Sequence, residues 1–365
     1  MKKKKALARN LFYPPGKLPM EDLAGLLSRY TQADSRLVVK PGIGRDAAVI
    51  SFGDRYLIAK TDPITFATAE IGWYAVQVNA NDIAAMGGAP RWFLATLLLP
   101  EDRTNPEMVE AIFEQISRAC RDLGITLCGG HTEITLGLDR PIVVGQMLGE
   151  AEAGQLTSPE RIRPGDEILL TKGIAIEGTA LIAREKKELG NSFAKGWLRK
   201  CQEFLQSPGI SVVRDARIAM ESGGVHAMHD PTEGGLATGL LELAQAADVG
   251  LLVEREKVTV FPETEILCKE LGLDPLGLIA SGALLIAAPP RDAERIKEAL
   301  RRGGIPAESI GRTWEKGKGI KILTGGEMRD LPVFPRDEIA RFFEGSEGPF
   351  TTEGTESTEK IKSPK

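Results

Sequence analysis

The stretch NANDIAAMGG, residues 79 to 88, sets the hardest condition on how this chain folds. It reads as the end of a helix that starts near Ile71, with Ile83, Ala84 and Met86 on an apolar surface and Gly87-Gly88 as the stop. Three polar side chains, Asn79, Asn81 and Asp82, are set into that surface. Aspartate is a poor helix former, and a buried carboxylate without a partner is costly. Whatever packs around this helix must supply something for Asp82.

The chain is long enough to do so. Its 365 residues suffice for two domains and a sizeable core, and 42% hydrophobic with 27% charged residues is the balance of a soluble globular protein. The N-terminal half alternates strands and long helices. MEDLAGLLSRY (20 to 30) reads as a short helix, and AAVISF and RYLIAK read as a hairpin turning at Gly53-Asp54. After the helix from Ile71 come a buried strand, RWFLATLLL, and an amphipathic helix, NPEMVEAIFEQISRACRDLG. The strands ITLC and PIVVGQMLGE follow. Polar, turn-rich AEAGQLTSPERIRPGD at 151 to 166 breaks the series, and a second alternation of strands and helices begins at Glu167. The expected fold is a mixed α+β or α/β arrangement in two domains. The expected divisions are a segment over 1–35, a first domain over 36–155, a second over 156–343, and a disordered polar tail over 344–365.

Several classes are excluded. A formal net charge of −5 gives no electrostatic reason for a nucleic-acid partner. FLATLLL, the longest apolar run, is far too short to span a bilayer, and the sequence after MKKKK is too broken for a signal peptide. The protein is therefore expected to be cytoplasmic, with no membrane partner. Cys120, Cys128, Cys201 and Cys268 are widely spaced, which points to reduced, mostly buried thiols. His226 and His229 lack enough further ligands for a zinc site and read as partly buried or substrate-edge histidines.

Three carboxylates stand beside unusual neighbours. Asp46 lies in the glycine-bearing GIGRDAAV, Asp62 in KTDPIT, where Pro63 ends the strand, and Asp82 one helical turn after Asn79. A polar cluster, GGHTE at 129 to 133, follows the strand ITLC. Carboxylates at strand and helix ends can converge on a hard divalent cation such as Mg²⁺. Equally, Asp46 can cap a turn, Asp62 can form an Asx-turn and Asp82 can pair with a cation. There is no GxxxxGK[ST] loop and no GxGxxG opening a βαβ unit.

GIGRDAAVI, KTDPIT, VNANDIAAMGGAPRWFLATLLLP, CGGHTEIT and HDPTEGGLATGLLELA occur in that order between about Gly16 and Leu323. Together they resemble the superfamily of aminoimidazole ribonucleotide synthetase, the PurM-like proteins. TDPIT, NDIAAMGG followed by Pro-Arg-Trp, and LGLDPL look most like its hydrogenase-maturation HypE branch. The resemblance implies a homodimer joined through the N-terminal domain, whose sheet is completed by dimerisation. It also implies ATP with Mg²⁺ as cofactors, and phosphoryl transfer to an amide, carbonyl or similar oxygen of a small-molecule or carrier-protein acceptor. On this likeness Asp46, Asp62 and Asp82 are the metal-binding carboxylates, and Asp46, Asp82 and His131 the catalytic group. Lys17, Asn79, Gly129, Gly130, Thr132, Gly234 and Gly235 fall at nucleotide-binding positions. Lys17 reads equally as a solvated lysine in a Pro/Gly loop. Asp230 reads as an N-cap, Pro231 as first-turn proline, and Gly234-Gly235 as a point of close approach for a ligand or for another backbone.

The chain also departs from that branch. It ends TEKIKSPK, with its last cysteine at Cys268, where HypE proteins carry a terminal cysteine, so the thiocyanate-forming role is not expected. His131 stands where an aspartate is usual, and Ser281-Gly282 where Glu-Gly is frequent. The rival expectations are a small-molecule kinase resembling thiamine-monophosphate kinase, and a non-catalytic nucleotide-binding partner protein.

Overall fold

A computed structural model describes residues 13, 16–65, 67, 69–152, 154–186, 189–190 and 193–344. The lysine-rich start and all of the expected tail but residue 344 lie outside the described residues. After helix α1 (Met20–Tyr30), the first sheet is built from β1 (Leu37–Val39), β2 (Ala48–Phe52), β3 (Arg55–Ile64), β4 (Ala89–Pro100), β5 (Thr126–Thr135) and β6 (Ile142–Glu152). Their spatial order is β1-β2-β3-β6-β4-β5, and only β4 and β5 run parallel. The hairpin forms as read, with Gly53 at φ +68° in its turn.

Two strand expectations need correction. Pro63 does not end β3; the strand continues to Ile64, with Pro63 opposite Val144. β2 pairs only with Arg55–Ala59, so beyond that point one edge of β3 is open and tolerates a residue with no N–H to give. Likewise GGHTE does not follow the strand. It lies inside β5, whose outer edge is unpaired among the described residues. Gly130 serves close strand contact, since a Cβ there would stand 1.9 Å from the Ala95 carbonyl oxygen.

Helix α2 (Ile71–Ala85) is buried along its whole length, with helix α3 (Pro106–Leu123) against one side and β6 and β3 against another. α3 follows its reading closely: Asn105 caps it through Met108 N–H, and Ile112, Ile116, Ala119 and Cys120 form its buried stripe. α2 sits close on β6 because Gly145 and Gly149 leave room. A Cβ at either would stand 2.3 Å from Asn79 Nδ2 or Ile83 Cγ2 respectively.

The second sheet comprises β7 (Glu167–Thr171), β8 (Ala227–His229), β9 (Gly250–Glu254), β10 (Leu285–Ala288), β11 (Ala307–Trp314), β12 (Ile320–Thr324) and β13 (Glu327–Asp330). Its order is β13-β12-β9-β11-β7-β10-β8. The helices of this half are α4 (Ile176–Glu185), α5 (Lys195–Gln202), α6 (Val213–Ser222), α7 (Gly235–Ala247), α8 (Pro262–Leu271), α9 (Pro290–Arg302) and α10 (Glu338–Glu344). The reading missed β11, a central strand whose AESIGRTW has no clean alternation, and α5. It also misplaced the start of α7. Gly234, at φ +82°, precedes the helix, while Asp230 and Pro231 lie in the loop after β8, so Asp230 is no N-cap. The anion at this helix start is Asp337, which accepts from the N–H groups of Gly234 (2.6 Å), Ile279 (3.2 Å) and Ile339 (2.7 Å). Gly235 is needed for packing: a Cβ there would stand 2.5 Å from the Leu276 carbonyl oxygen.

Asn81 joins the two halves. Its Nδ2 donates to Ile210 O and its Oδ1 accepts from Val212 N–H, both at 2.8 Å. Among the described residues no helix is long and apolar enough to cross a membrane. Cys120, Cys201 and Cys268 are free and buried, and Cys128 is free and exposed.

Candidate active site

Where β3, α2 and the loop from β8 to α7 meet, the chain gathers charged groups from seven places in the sequence. Lys60 and Asp62 project from β3, Asp82 from α2, Asp46 from the loop before β2, His229 and Asp230 from the end of β8, and Glu242 from α7. Lys60 Nζ lies 3.4 Å from Asp62 Oδ2 and 3.3 Å from Asp82 Oδ2. His229 bridges two acids, Nδ1 standing 2.8 Å from Asp46 Oδ1 and Nε2 3.1 Å from Glu242 Oε2. One ligand atom each from Asp46, His229 and Asp230 falls within a 4.8 Å span. Asn79 fixes the strand beneath: its Nδ2 donates to Ala75 O at 2.8 Å and to Asp62 O at 3.3 Å.

The electrostatics follow from burial. Desolvation is the largest influence on Asp82 and drives its carboxyl well above the ordinary range; Lys60 pulls it back, while Asp230, Asp62 and Asp46 push it further up. Burial also raises Asp230, to about 7, with Asp46 adding to the rise and His229 and Lys60 opposing it. For Lys60 desolvation favours the neutral amine, but the surrounding carboxylates outweigh it and the ammonium is held. The same contest, settled by Asp46 and Glu242, holds His229 as imidazolium, so both ring N–H groups donate.

Lys60 is thus the partner that the protein itself gives Asp82, yet it does not satisfy the cluster. Its Nζ is an ion-pair neighbour of Asp82 Oδ2 outside hydrogen-bond geometry, and that oxygen accepts no hydrogen bond from the protein. Neither oxygen of Asp230 accepts one either. Three buried carboxylate oxygens left over in one acidic cluster fit a hard divalent cation with oxygen ligands.

The expected site residues divide. Asp46, Asp62, Asp82 and Asn79 come together, and Lys17 joins them, its Nζ 3.3 Å from Thr232 Oγ1 and 3.8 Å from Glu242 Oε1. Beside them opens a cleft of about 500 Å³ lined by Lys17, Asp62, Thr232, Glu233 and others. Gly129, Gly130, His131 and Thr132 do not join them. His131 is aligned across the sheet with Thr96, Val144 and Pro63, which puts it three strands, roughly 14 Å, from β3. It is exposed, 3.3 Å from Glu133 on the same strand. Gly234 and Gly235 are engaged in capping and packing, as described. Sequence reasoning overlooked Lys60 and Glu242, and it read His229 as a partly buried or substrate-edge histidine and Asp230 as an N-cap, not as members of the acidic cluster. The one available signal was the acid in HDPTEGG, directly after a strand and too far ahead of the helix to cap it.

Two layered halves, with this cluster where they meet, define a two-domain AIR synthase-related protein. The N-terminal domain model of that family matches residues 44–151 and the C-terminal domain model residues 163–323, and the chain belongs to this family. A putative hydrogenase expression/formation protein of Methanocaldococcus jannaschii is 30% identical over 309 residues, covering 81% of this chain and 89% of that one. The carbamoyl dehydratase HypE of Rhodobacter capsulatus is 29% identical over 338 residues, covering 91% of each. Among solved structures, a hydrogenase maturation protein HypE in complex with ATP superimposes with a TM-score of 0.67 at 25% identity, over 86% of this chain and 91% of that one.

Proposed function

We propose that this protein is an Mg·ATP-dependent phosphoryl-transfer enzyme that activates an amide or carbonyl oxygen of its acceptor, and that it works as a homodimer. The observation that carries the reading is the set of buried, unpartnered oxygens on Asp82 and Asp230, in the cluster whose Asp62 and Lys17 line the cleft. Kinship with a carbamoyl dehydratase and likeness to a HypE solved with ATP support it. The unpaired edge of β5, with Ile134 60% exposed, supports pairing through the N-terminal half.

Asp46, Asp62, Asp82 and Asp230 would hold the metal. When bound, Mg²⁺ neutralises phosphate charge and fixes the phosphoryl group in line for transfer. The protein supplies position. His229, held by Glu242 on its other ring nitrogen, fixes Asp46, Lys60 holds Asp62 and Asp82 from one side, and Asn79 secures the strand that carries Asp62. Lys17, half exposed at the cleft, can turn from Glu242 to a phosphate oxygen.

The test is Asp82→Asn, read by calorimetric titration with Mg·ATP and by sedimentation. The expected result is loss of Mg²⁺-dependent nucleotide binding, at least about tenfold, in a variant that remains a dimer. Unchanged Mg·ATP affinity would count against the metal assignment.

A further inference from the structure

The loop at 209–212, which Asn81 holds from the first half, is also held from the second. Lys172, directly after β7, donates from its Nζ to Ser211 O at 2.7 Å and to Gly209 O at 3.4 Å. Asn81 takes the polar groups between and beyond them, Ile210 O and Val212 N–H. The two side chains thus use alternate peptide groups of one loop. Gly282 backs that loop so closely that a Cβ on it would stand 2.9 Å from Gly209 O. Lysines are almost never buried without a partner, and Lys172 is only 7% exposed. Asp215, buried in the first turn of α6, stands 3.3 Å from its Nζ. Burial pulls the ammonium's pKa down, and Asp215 opposes the fall. The Lys172 backbone is left-handed, φ +56°, which costs a residue other than glycine about 1–3 kcal/mol. Methionine would fill the same space without the desolvation cost, so what the lysine contributes is its hold on the loop.

We propose that Lys172 is a positioning residue for Asp82, acting through the 209–212 loop and Asn81. This rests on the phosphoryl-transfer reading for what Asp82 does, but not for the contacts themselves. Asn81 and Asp82 are neighbours near the C-terminal end of α2, so the hold on Asn81 sets the rotation of the turn that carries the Asp82 carboxylate. Behind that turn, Ala84 and Ala85 join Val212, Ala216 and Ala219 in one apolar cluster, so loop, α6 and α2 form a single packed unit. Asp82 Oδ2 accepts no hydrogen bond from the protein, so Lys60 does not fix it and its place depends on the helix. Carboxylates that share a metal must be held to within about 0.5 Å, and Mg²⁺ tolerates little departure from octahedral geometry. Docking of the second half is thereby felt at the acidic cluster.

The experiment compares the full chain as wild type, Lys172→Met/Asp215→Leu, Asn81→Ala and the triple variant. Both members of the buried pair are replaced together because removing one leaves an unpaired buried charge, whereas apolar replacement of both is close to neutral for stability. Thermal melting confirms that each variant is folded. Lys172→Gln/Asp215→Asn, a neutral polar pair, takes the place of the apolar pair if that one does not melt cooperatively, with the same expected result. Hydrogen exchange of residues 79–88, measured without nucleotide, is expected to speed up at least about fivefold in the paired variant. Calorimetry is expected to show Mg²⁺-dependent ATP binding weakened about tenfold. Asn81→Ala should weaken it to a similar extent and the triple variant no further, because the residues act along one path. Unchanged exchange, unchanged Mg·ATP affinity, or weakening that adds up in the triple variant would overturn the proposal. Absence of Mg·ATP binding in the wild type would instead remove the phosphoryl-transfer reading, and exchange at 79–88 would then decide alone whether Lys172 holds this turn.

Discussion

At the scale of single residues, the protein concentrates its unfavourable burial in one region. Asp82, Asp230 and Glu177 are all buried acids with an oxygen that accepts no hydrogen bond, at or beside one cleft. Such groups destabilise the free protein and are compatible with folding when a ligand completes them. Glu177 makes this measurable. Its folded pKa, about 7, lies above the ordinary 4.5, so the stability linked to it is full below pH 4.5 and is lost as pH rises through 7. Asp337 and Glu233 add to the rise, and Ser281 opposes it. Glu177→Leu should therefore flatten the fall in unfolding free energy between acid and mildly alkaline pH by up to about 3 kcal/mol, measured by urea denaturation across that range. An unchanged slope would show that the carboxyl is better solvated than its burial implies. Asp82 could be flagged from sequence because an acid within an apolar helix is anomalous on its face. Lys60 could not, since a lysine in a strand looks like an ordinary solvent-facing residue until Asp62 and Asp82 are placed around it.

At the scale of elements, what could be read locally was read well, and what depends on neighbours was not. The boundaries of α3 follow from its Asn105 cap, Gly124 and a 3.6-residue period, all of them local signals. β5 runs further than the strand read at ITLC, through Gly129 and Gly130, which sit within it at φ +127° and +145°, backbone that favours glycine. Their roles differ, which gives a prediction. A Cβ on Gly130 would meet the Ala95 carbonyl at 1.9 Å, while one on Gly129 would meet nothing within 4 Å. Gly130→Ala should cost about 3 kcal/mol or more of stability, and Gly129→Ala only about 1 kcal/mol from backbone strain, both read by chemical denaturation. Equal costs would mean that β5 is not held against β4 as described. Asp230 was assigned to the wrong element for a related reason: Asp-Pro ahead of a glycine pair resembles a helix start, yet Asp337, 107 residues further on, takes that place.

At the scale of the whole molecule, the two halves are joined where the chemistry lies. Asn81 bonds the 210–212 loop from within α2, and Asp82 turns into the cluster beside it, so the residue that ties the domains neighbours one that belongs to the acidic cluster. Family membership could be read from five motifs in order, because each survives as a short string. The site's full membership could not, since residues 46, 60, 62, 82, 229, 230 and 242 meet only after both sheets have formed. The central claim is that these acids await a metal-bound nucleotide. It is tested most directly by calorimetric titration of ATP into the purified protein, first with Mg²⁺ and then with EDTA. Saturable binding that requires Mg²⁺ is the predicted result; binding of equal strength in EDTA, or none in either condition, would contradict it.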